Sequence, residues 1–298
     1  LLQDHERDAD VKELVVVSGK GGTGKTSLVA SFAALAGNKV LADCDVDAAD
    51  LHLVLDPLVE QREDFSGGKI ARVLSDRCTA CGRCGEVCRF EAVSQGAAFS
   101  IDPVNCEGCG VCVWNCPEQA IVFEDAINGE WFVSGTRYGP MVHARLGIAE
   151  ENSGKLVTLV RSQARRIAEE DSRDLVIVDG SPGIGCPVIA SITGADLVLI
   201  VTEPTLSGKH DMERVAELTR HFGIPAMICV NKWDLYPTVA EEIEKEALDQ
   251  GIKVAGRVRY DKAVTRAQVV RTCVVEYTGG AITEEIKSVW RHVLYALG

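Results

Sequence analysis

The sequence predicts an α/β fold, a doubly wound and mainly parallel sheet, with a small α+β domain inserted into it. Three observations lead there. Short runs of Val, Ile and Leu recur along 298 residues that are 46% hydrophobic but only 5% aromatic, and they alternate with stretches of helical period. The first run, Leu14-Val15-Val16-Val17, passes through a glycine-rich loop straight into an apolar helix, which opens a parallel strand-loop-helix unit. Between about residues 63 and 130 that pattern stops, and eight of the twelve cysteines fall there. The expected organisation is a domain begun by 1–62, an insert over 63–130, and 131–298 completing the domain.

The first strand, about Glu13 to Ser18, feeds the loop Ser18 to Ser27, SGKGGTGKTS, in which Gly19, Gly24, Lys25 and Thr26 fit G-x-x-x-x-G-K-[ST]. Glycines let the backbone N–H groups of Gly21, Gly22, Thr23, Gly24 and the residues up to Ser27 curl around phosphate oxygens, and the new helix adds its positive dipole end. Lys25 then reaches the β/γ-phosphates and Thr26 offers its hydroxyl to Mg²⁺. An ordinary glycine turn before a helix is the alternative. The helix should stop near Gly37-Asn38, and a second buried strand from Lys39 to Ala42 ends in Asp43-Cys44-Asp45. Carboxylates at a strand's C-terminal end lie where doubly wound sheets bind ligands; a solvated acidic turn is the alternative there.

Cys78, Cys81, Cys84 and Cys88 form C-x₂-C-x₂-C-x₃-C, and Cys106, Cys109, Cys112 and Cys116 repeat it 28 residues later. Ala92-Val93 and Ala120-Ile121 follow the two motifs at equivalent places, which supports an internal duplication. Zinc is the alternative, though it favours two pairs over a triplet plus one; disulfides need a secretory context. Beyond the insert, His143 reads as structural, and Ser153 to Glu170 reads as a helix with Leu156, Leu159, Val160, Gln163 and Ile167 near helical spacing. Leu175 to Asp179 is an apolar strand ending in an acid placed to act on Mg²⁺ through water. Ala195 to Thr202, Ala226 to Val230 and Lys253 to Val258 are further buried strands, the second ending in Asn231-Lys232-Trp233-Asp234, an N-K-x-D pattern. A last helix, Ala281 to Leu297, carries an apolar stripe through Ile282, Ile286, Val289, Trp290, Val293, Leu294 and Leu297 and is expected to pack on the sheet.

The second loop lysine, Lys20 in KGGTGKT, resembles the deviant phosphate loop of the MinD/ParA/Mrp and nitrogenase iron protein superfamily. The resemblance implies a P-loop ATPase in which Lys20 crosses a nucleotide-dependent homodimer to touch the partner's phosphates. It also makes Asp43 and Asp45 the acids of switch I, with Asp45 positioning the attacking water, and Gly183 the switch II glycine whose amide senses the γ-phosphate. In the MinD-like branch Asn231 contacts adenine; in GTPases Asp234 of N-K-x-D reads guanine, and Lys20 favours ATP. The doubled cysteine motif is that of a bacterial two-cluster ferredoxin. That likeness implies a ferredoxin-like insert with two [4Fe-4S] clusters, one held by Cys78, Cys81, Cys84 and Cys116, the other by Cys106, Cys109, Cys112 and Cys88. Pro117 follows the last cysteine as in that pattern, whereas Arg89 replaces proline after Cys88. Cys186 stands seven residues after Asp179, where the nitrogenase iron protein has a ligand of its dimer-bridging cluster; Cys44 is the candidate for a second such thiolate. Cys229 and Cys273 read as core residues.

A net charge of −13 without a basic stretch argues against a nucleic-acid partner. No apolar run reaches the ~18 residues of a membrane span, and the acidic start resembles no secretory signal, so a reducing cytoplasm is expected. The C-terminal helix carries Glu284 and Glu285 beside Lys287 and Arg291, without the basic excess that anionic lipid attracts. Three functions fit: a redox ATPase passing electrons to a partner, a carrier delivering clusters to an apo-protein, and a positioning ATPase with a ferredoxin sensor. The insert lies between switch I and switch II, so nucleotide state is expected to reach it, unless Gly67-Gly68 is a flexible linker.

Overall fold

The computed structural model describes residues 11–96, 98–147 and 153–298; the acidic leader 1–10 lies outside the described residues. The chain forms two compact units, one from residues 11–62, 131–145 and 153–298, the other from 63–130 with 146–147. Leu146 and Gly147 therefore belong with the insert rather than with the returning chain. The Gly147 N–H donates to the Asn128 carbonyl at 2.7 Å.

The larger unit begins with β1 (Lys12–Ser18), α1 (Lys25–Leu35), β2 (Lys39–Asp43) and α2 (Leu51–Leu55). β3 (Leu58–Val73) leads into the insert, which holds α3 (Arg83–Val87), β4 (Val93–Gln95), β5 (Phe99–Ile101) and α4 (Val111–Trp114). β6 (Ile121–Thr136) and β7 (Gly139–Leu146) return the chain to α5 (Ser153–Glu170), β8 (Leu175–Pro182), α6 (Cys186–Ile192) and β9 (Leu197–Thr202). There follow α7 (Leu206–His221), β10 (Ala226–Asn231), α8 (Pro237–Asp249) and β11 (Lys253–Val258). The chain closes with α9 (Ala263–Val269), α10 (Val274–Tyr277) and α11 (Ala281–Leu297). None of the described helices is long and apolar enough to cross a membrane.

The nine-stranded sheet runs β11-β10-β9-β1-β8-β2-β7-β6-β3. Apolar runs without a polar face are stable only in a sheet covered on both sides, and β1, β2, β8, β9 and β10 are buried almost throughout. Pairing from β11 across to β7 is parallel, so these strands all end at one edge. There Asp179 stands in register with Val16 on one side and Asp43 on the other. The acids predicted at strand ends thus meet the loop that follows β1.

α11 buries Ile282, Ile286, Val289, Trp290 and Val293, and Trp290 stacks on Phe32 of α1 with ring centroids 4.9 Å apart. Leu294, at the margin of that stripe, is 44% exposed. In α5 the buried face is Leu156, Val157, Val160, Ala164 and Ala168, not one through Leu159, Gln163 and Ile167. Two alanines on that face let α5 lie close against β2 and α6.

The smaller unit has little core: Ala71, Cys84 and Ile121 are its buried cluster, with Phe99, Ile101, Phe123 and several cysteines packed around them. Its halves repeat in backbone as well as sequence. Positive φ recurs at Ala80 and Gly108, Gly82 and Gly110, Glu91 and Gln119, each pair 28 residues apart. A Cβ on Gly108 would strike the Lys69 carbonyl, whereas Ala80 keeps its Cβ at φ 53°. Gly67 and Gly68 lie inside β3 rather than in coil, and the Gly67 N–H donates to Asn128 Oδ1 at 2.9 Å.

Candidate nucleotide site and cysteine cages

The loop after β1 wraps one end of a cavity of about 440 Å³, with every residue from Gly21 to Ser27 on its wall. Gly24 has φ 91°, and a Cβ there would strike the Asn231 side chain. Asn231 Nδ2 donates to the Thr23 carbonyl at 2.6 Å and Lys232 Nζ to the Gly22 carbonyl at 2.9 Å. A trans peptide points C=O and N–H in opposite directions, so anchoring these carbonyls turns the Thr23 and Gly24 N–H groups the other way, as an anion-binding loop requires. Asn231 is thus a brace for the loop as well as a cavity residue.

Lys25 is only 5% exposed. Its Nζ lies 2.5 Å from Asp179 Oδ1 and 3.5 Å from Asp45 Oδ2. Burial opposes its charge, but Asp179, Asp45 and Asp43 outweigh that and raise its pKa. Asp43, fully buried, accepts the N–H groups of Asp45 and Leu51 at 3.2 Å each, which fixes the acidic turn and the start of α2. Burial first, and then Asp179, push the Asp43 pKa well up. Burial also raises that of Asp45, against the pull of Lys25. Asp179 Oδ2 is buried without a partner, and such an atom costs about 1–3 kcal/mol unless something satisfies it. A set of hard oxygens, the Asp179 carboxylate and the Thr26 hydroxyl, fits Mg²⁺.

The other end of the cavity is apolar, walled by Val264, Val274, Ile282 and Ile286, and its rim is the strap Arg259–Asp261 after β11. Two carboxylates hold the strap. Glu285 of α11 accepts from the Arg259 backbone N–H at 2.7 Å and from its guanidinium at 2.7 and 3.0 Å. Asp234 accepts from the Tyr260 N–H at 2.7 Å and does not line the cavity. Gln268, also on the wall, donates to Ser27 Oγ at 3.1 Å. Sequence reasoning missed Glu285, Gln268 and the contribution of α11; the available signal was an arginine, Arg259, directly after a buried strand, since it demands an acid nearby.

Lys20 lies outside the cavity wall, with Nζ 2.7 Å from Glu203 Oε1 and 3.1 Å from Ser207 Oγ. Glu203 also holds Lys232 at 3.1 Å; burial favours its protonation, but the two lysines outweigh it and lower its pKa. The Gly183 amide, expected to face a γ-phosphate, donates to the Ser18 carbonyl at 2.8 Å, and Pro182 rather than Gly183 lines the cavity. Cys186 is exposed, but Cys44 is fully buried with Sγ 4.0 Å from the Val157 carbonyl. Burial drives the Cys44 pKa well up. Cys44, the candidate second thiolate of a bridging site, thus faces the interior beside α5, while Cys186 faces solvent. Cys229 and Cys273 are core residues, and burial pushes the Cys229 pKa up to about 12.

In the smaller unit the eight motif cysteines divide between two cavities of about 20 Å³ each. Cys78, Cys81, Cys84 and Cys116 line one; Cys88, Cys106, Cys109 and Cys112 line the other. Each cavity therefore draws three thiols from one motif and the fourth from the other. Four thiols around one cavity are the donor set that an iron–sulfur cluster takes. The Ala120 N–H donates to Cys116 Sγ at 3.3 Å, support that a ligating sulfur uses. Pro117 lines the first cavity, while Arg89 lines neither.

Residues 14–270 match the family model of the CobQ/CobB/MinD/ParA nucleotide-binding domain. The chain belongs to that family. Over 228 residues it is 34% identical to an uncharacterised protein of Methanocaldococcus jannaschii, covering 74% of this chain and 78% of that one. Its fold matches the cell division ATPase MinD of Pyrococcus furiosus at TM-score 0.57 and 16% identity, over 95% of this chain and 98% of that one. It also matches the septum site-determining protein MinD of Pyrococcus horikoshii, complexed with Mg-ADP, at TM-score 0.58 and 13% identity, over 95% and 96%. A 65-residue stretch is 37% identical to a 7Fe ferredoxin of Hydrogenibacillus schlegelii, covering 21% of this chain and 83% of that one. This MinD/ParA-family chain thus carries a ferredoxin-like insert.

Proposed function

We propose that this chain is an ATPase whose nucleotide state is coupled to electron transfer through two [4Fe-4S] clusters. The observation that carries the reading is the division of eight cysteines into two four-thiol cavities on a chain that also has a complete phosphate-loop cavity. Lys25 compensates the β/γ-phosphates, Thr26 and Asp179 hold Mg²⁺, and Asp45 positions the attacking water. Bound clusters supply one-electron carriers, and the eight cysteines hold them. ATP is favoured over GTP because Asp234, the guanine reader of N-K-x-D, stands off the cavity wall and accepts from the Tyr260 N–H. Lys20 serves a nucleotide-dependent homodimer, for which it must leave Glu203.

Cluster delivery to an apo-protein is the second reading, favoured by the exposure of one cysteine in each cavity, Cys81 and Cys109. Positioning on a lipid surface is disfavoured for α11, whose apolar stripe is already packed against the sheet. The deciding experiment reduces the reconstituted protein with dithionite, removes the excess reductant, and incubates it anaerobically with an apo-ferredoxin, an oxidised redox dye and ATP. Electron transfer predicts ATP-dependent dye reduction with iron retained; delivery predicts iron on the apo-ferredoxin. If neither process depends on ATP, the coupling reading is wrong.

The strap yields a separate expectation. Glu285→Ala removes the clamp on Arg259 without touching the phosphate loop, so the KM for ATP should rise about tenfold with kcat nearly unchanged, a loss of about 1.4 kcal/mol in binding. Steady-state kinetics with ATP checks this, and an unchanged KM would make the clamp purely structural.

A further inference from the structure

From the acidic turn, contacts run through the Leu51 N–H to His52 and on through stacked side chains to the two strands that enter and leave the smaller unit. Asp179, Asp43 and His143 occupy one register row across β8, β2 and β7. The His143 ring stacks on His52 of α2, with centroids 6.5 Å apart and planes at 10°, and on Phe132 of β6, at 4.9 Å and 21°. The guanidinium of Arg62 on β3 lies 6.0 Å from the Phe132 ring centroid. His143 is 9% exposed, and Ser134 Oγ, itself buried, sits 2.8 Å from its Nε2 and fixes the ring plane. Burial, with His52 nearby, holds the His143 pKa down to about 4, so the ring stacks as a neutral aromatic at neutral pH.

The positions of these residues in the chain matter as much as their contacts. Arg62 is the last residue of the larger unit before β3 leaves it, and Phe132 is the second after β6 returns. At the other end, the start of α2 hangs from Asp43 through the Leu51 N–H, and His52 is the next residue. None of the four stacked residues lines the nucleotide cavity. Bringing phosphate and Mg²⁺ to Lys25 and Asp179 alters the partners of Asp45 and the surroundings of Asp43. A shift of Asp43 or its turn displaces α2, and packed rings pass on a displacement because a close-packed interior yields little.

We propose that the stack His52, His143, Phe132 and Arg62 transmits the state of the nucleotide site to the roots of β3 and β6, and so to the iron–sulfur unit. This rests on the proposed reading of the chain as an ATPase that carries clusters. Coupling free energies are reciprocal, so reduction of the clusters should change the preference for an ATP analogue over ADP by the same factor by which the nucleotides shift cluster reduction.

The test measures the dissociation constants of ADP and of a non-hydrolysable ATP analogue on the oxidised and the dithionite-reduced holoprotein. Wild type, Phe132→Leu and His52→Ala are compared. Phe132→Leu keeps apolar volume but loses the ring, and His52→Ala breaks the stack from the α2 side at a half-buried position. In wild type the analogue-to-ADP ratio should change at least about fivefold on reduction. In both variants this factor should fall to about one, with affinities of the oxidised protein kept within about twofold. A wild-type factor retained in either folded variant overturns the stack as the route. A factor of one in wild type, with nucleotide binding and clusters intact, overturns the coupled-function reading and the relay with it.

Discussion

Lys25→Ala should abolish nucleotide hydrolysis, with turnover falling by at least about 10²–10³-fold, the cost of losing one preorganised charge-stabilising donor. Among the described residues Lys25 is the cation in direct contact with Asp179 and Asp45, and in the proposed reading a γ-phosphate finds its countercharge there. Its removal also has a structural consequence. Asp179 and Asp43 are fully buried in register with each other, and without the ammonium two carboxylates share a desolvated site. Breaking a buried pair in this way costs about 3–5 kcal/mol; uptake of a proton by Asp43, whose pKa is already raised by burial and Asp179, would recover part of it. Single-turnover assays with labelled ATP and thermal unfolding at pH 6 and pH 8 separate the effects. Turnover near wild type would remove the phosphate-loop assignment. Because the proton that relieves the pair is scarcer at higher pH, the variant's stability deficit should be larger at pH 8 than at pH 6.

What was legible in the sequence follows a physical division. The loop from Ser18 to Ser27, the buried strands and the span of α11 were readable because each depends on residue types in sequence order: glycines for positive φ, aliphatic runs for a doubly covered sheet, a helical apolar stripe. The two cysteine motifs were readable from their spacing, while which fourth cysteine joins each triplet came from the ferredoxin likeness and agrees with the lining of the two cavities. What was not legible depends on which way a group faces once folded. Asp234 and Glu285 are 51 positions apart in the chain, yet both clamp the strap. The Gly183 amide turns to Ser18, and Cys44 turns inward to α5. The buried face of α5 was misread because Ala164 and Ala168 win their places through close approach, which a hydrophobicity pattern does not register. The stack of His52, His143, Phe132 and Arg62 unites four elements, and no local pattern announces it.

Cys116→Ser should empty the cavity whose other thiols are Cys78, Cys81 and Cys84, and Cys88→Ser should empty the one lined by Cys106, Cys109 and Cys112. Each substitution therefore strikes the cluster of the other motif, and iron should fall from about eight to about four per chain in either variant. The cost goes beyond a lost cofactor. A domain of this size buries too little apolar surface to hold itself without staples, and among its described residues only Ala71, Cys84 and Ile121 form a buried cluster, with Phe65, Ala92 and Ala120 buried besides. Metal–thiolate bonds are then folding energy, as they are in other small metal-held domains. The cavity emptied in Cys116→Ser is also the one that contains Cys84, a member of that core. Cys116→Ser should thus expose residues 63–130 to rapid hydrogen exchange more than Cys88→Ser does, while 11–62 and 153–298 keep their protection and their nucleotide affinity. Iron near eight in either variant would refute the crossed ligand sets. Slow exchange across 63–130 after loss of both clusters would show that the unit folds without them.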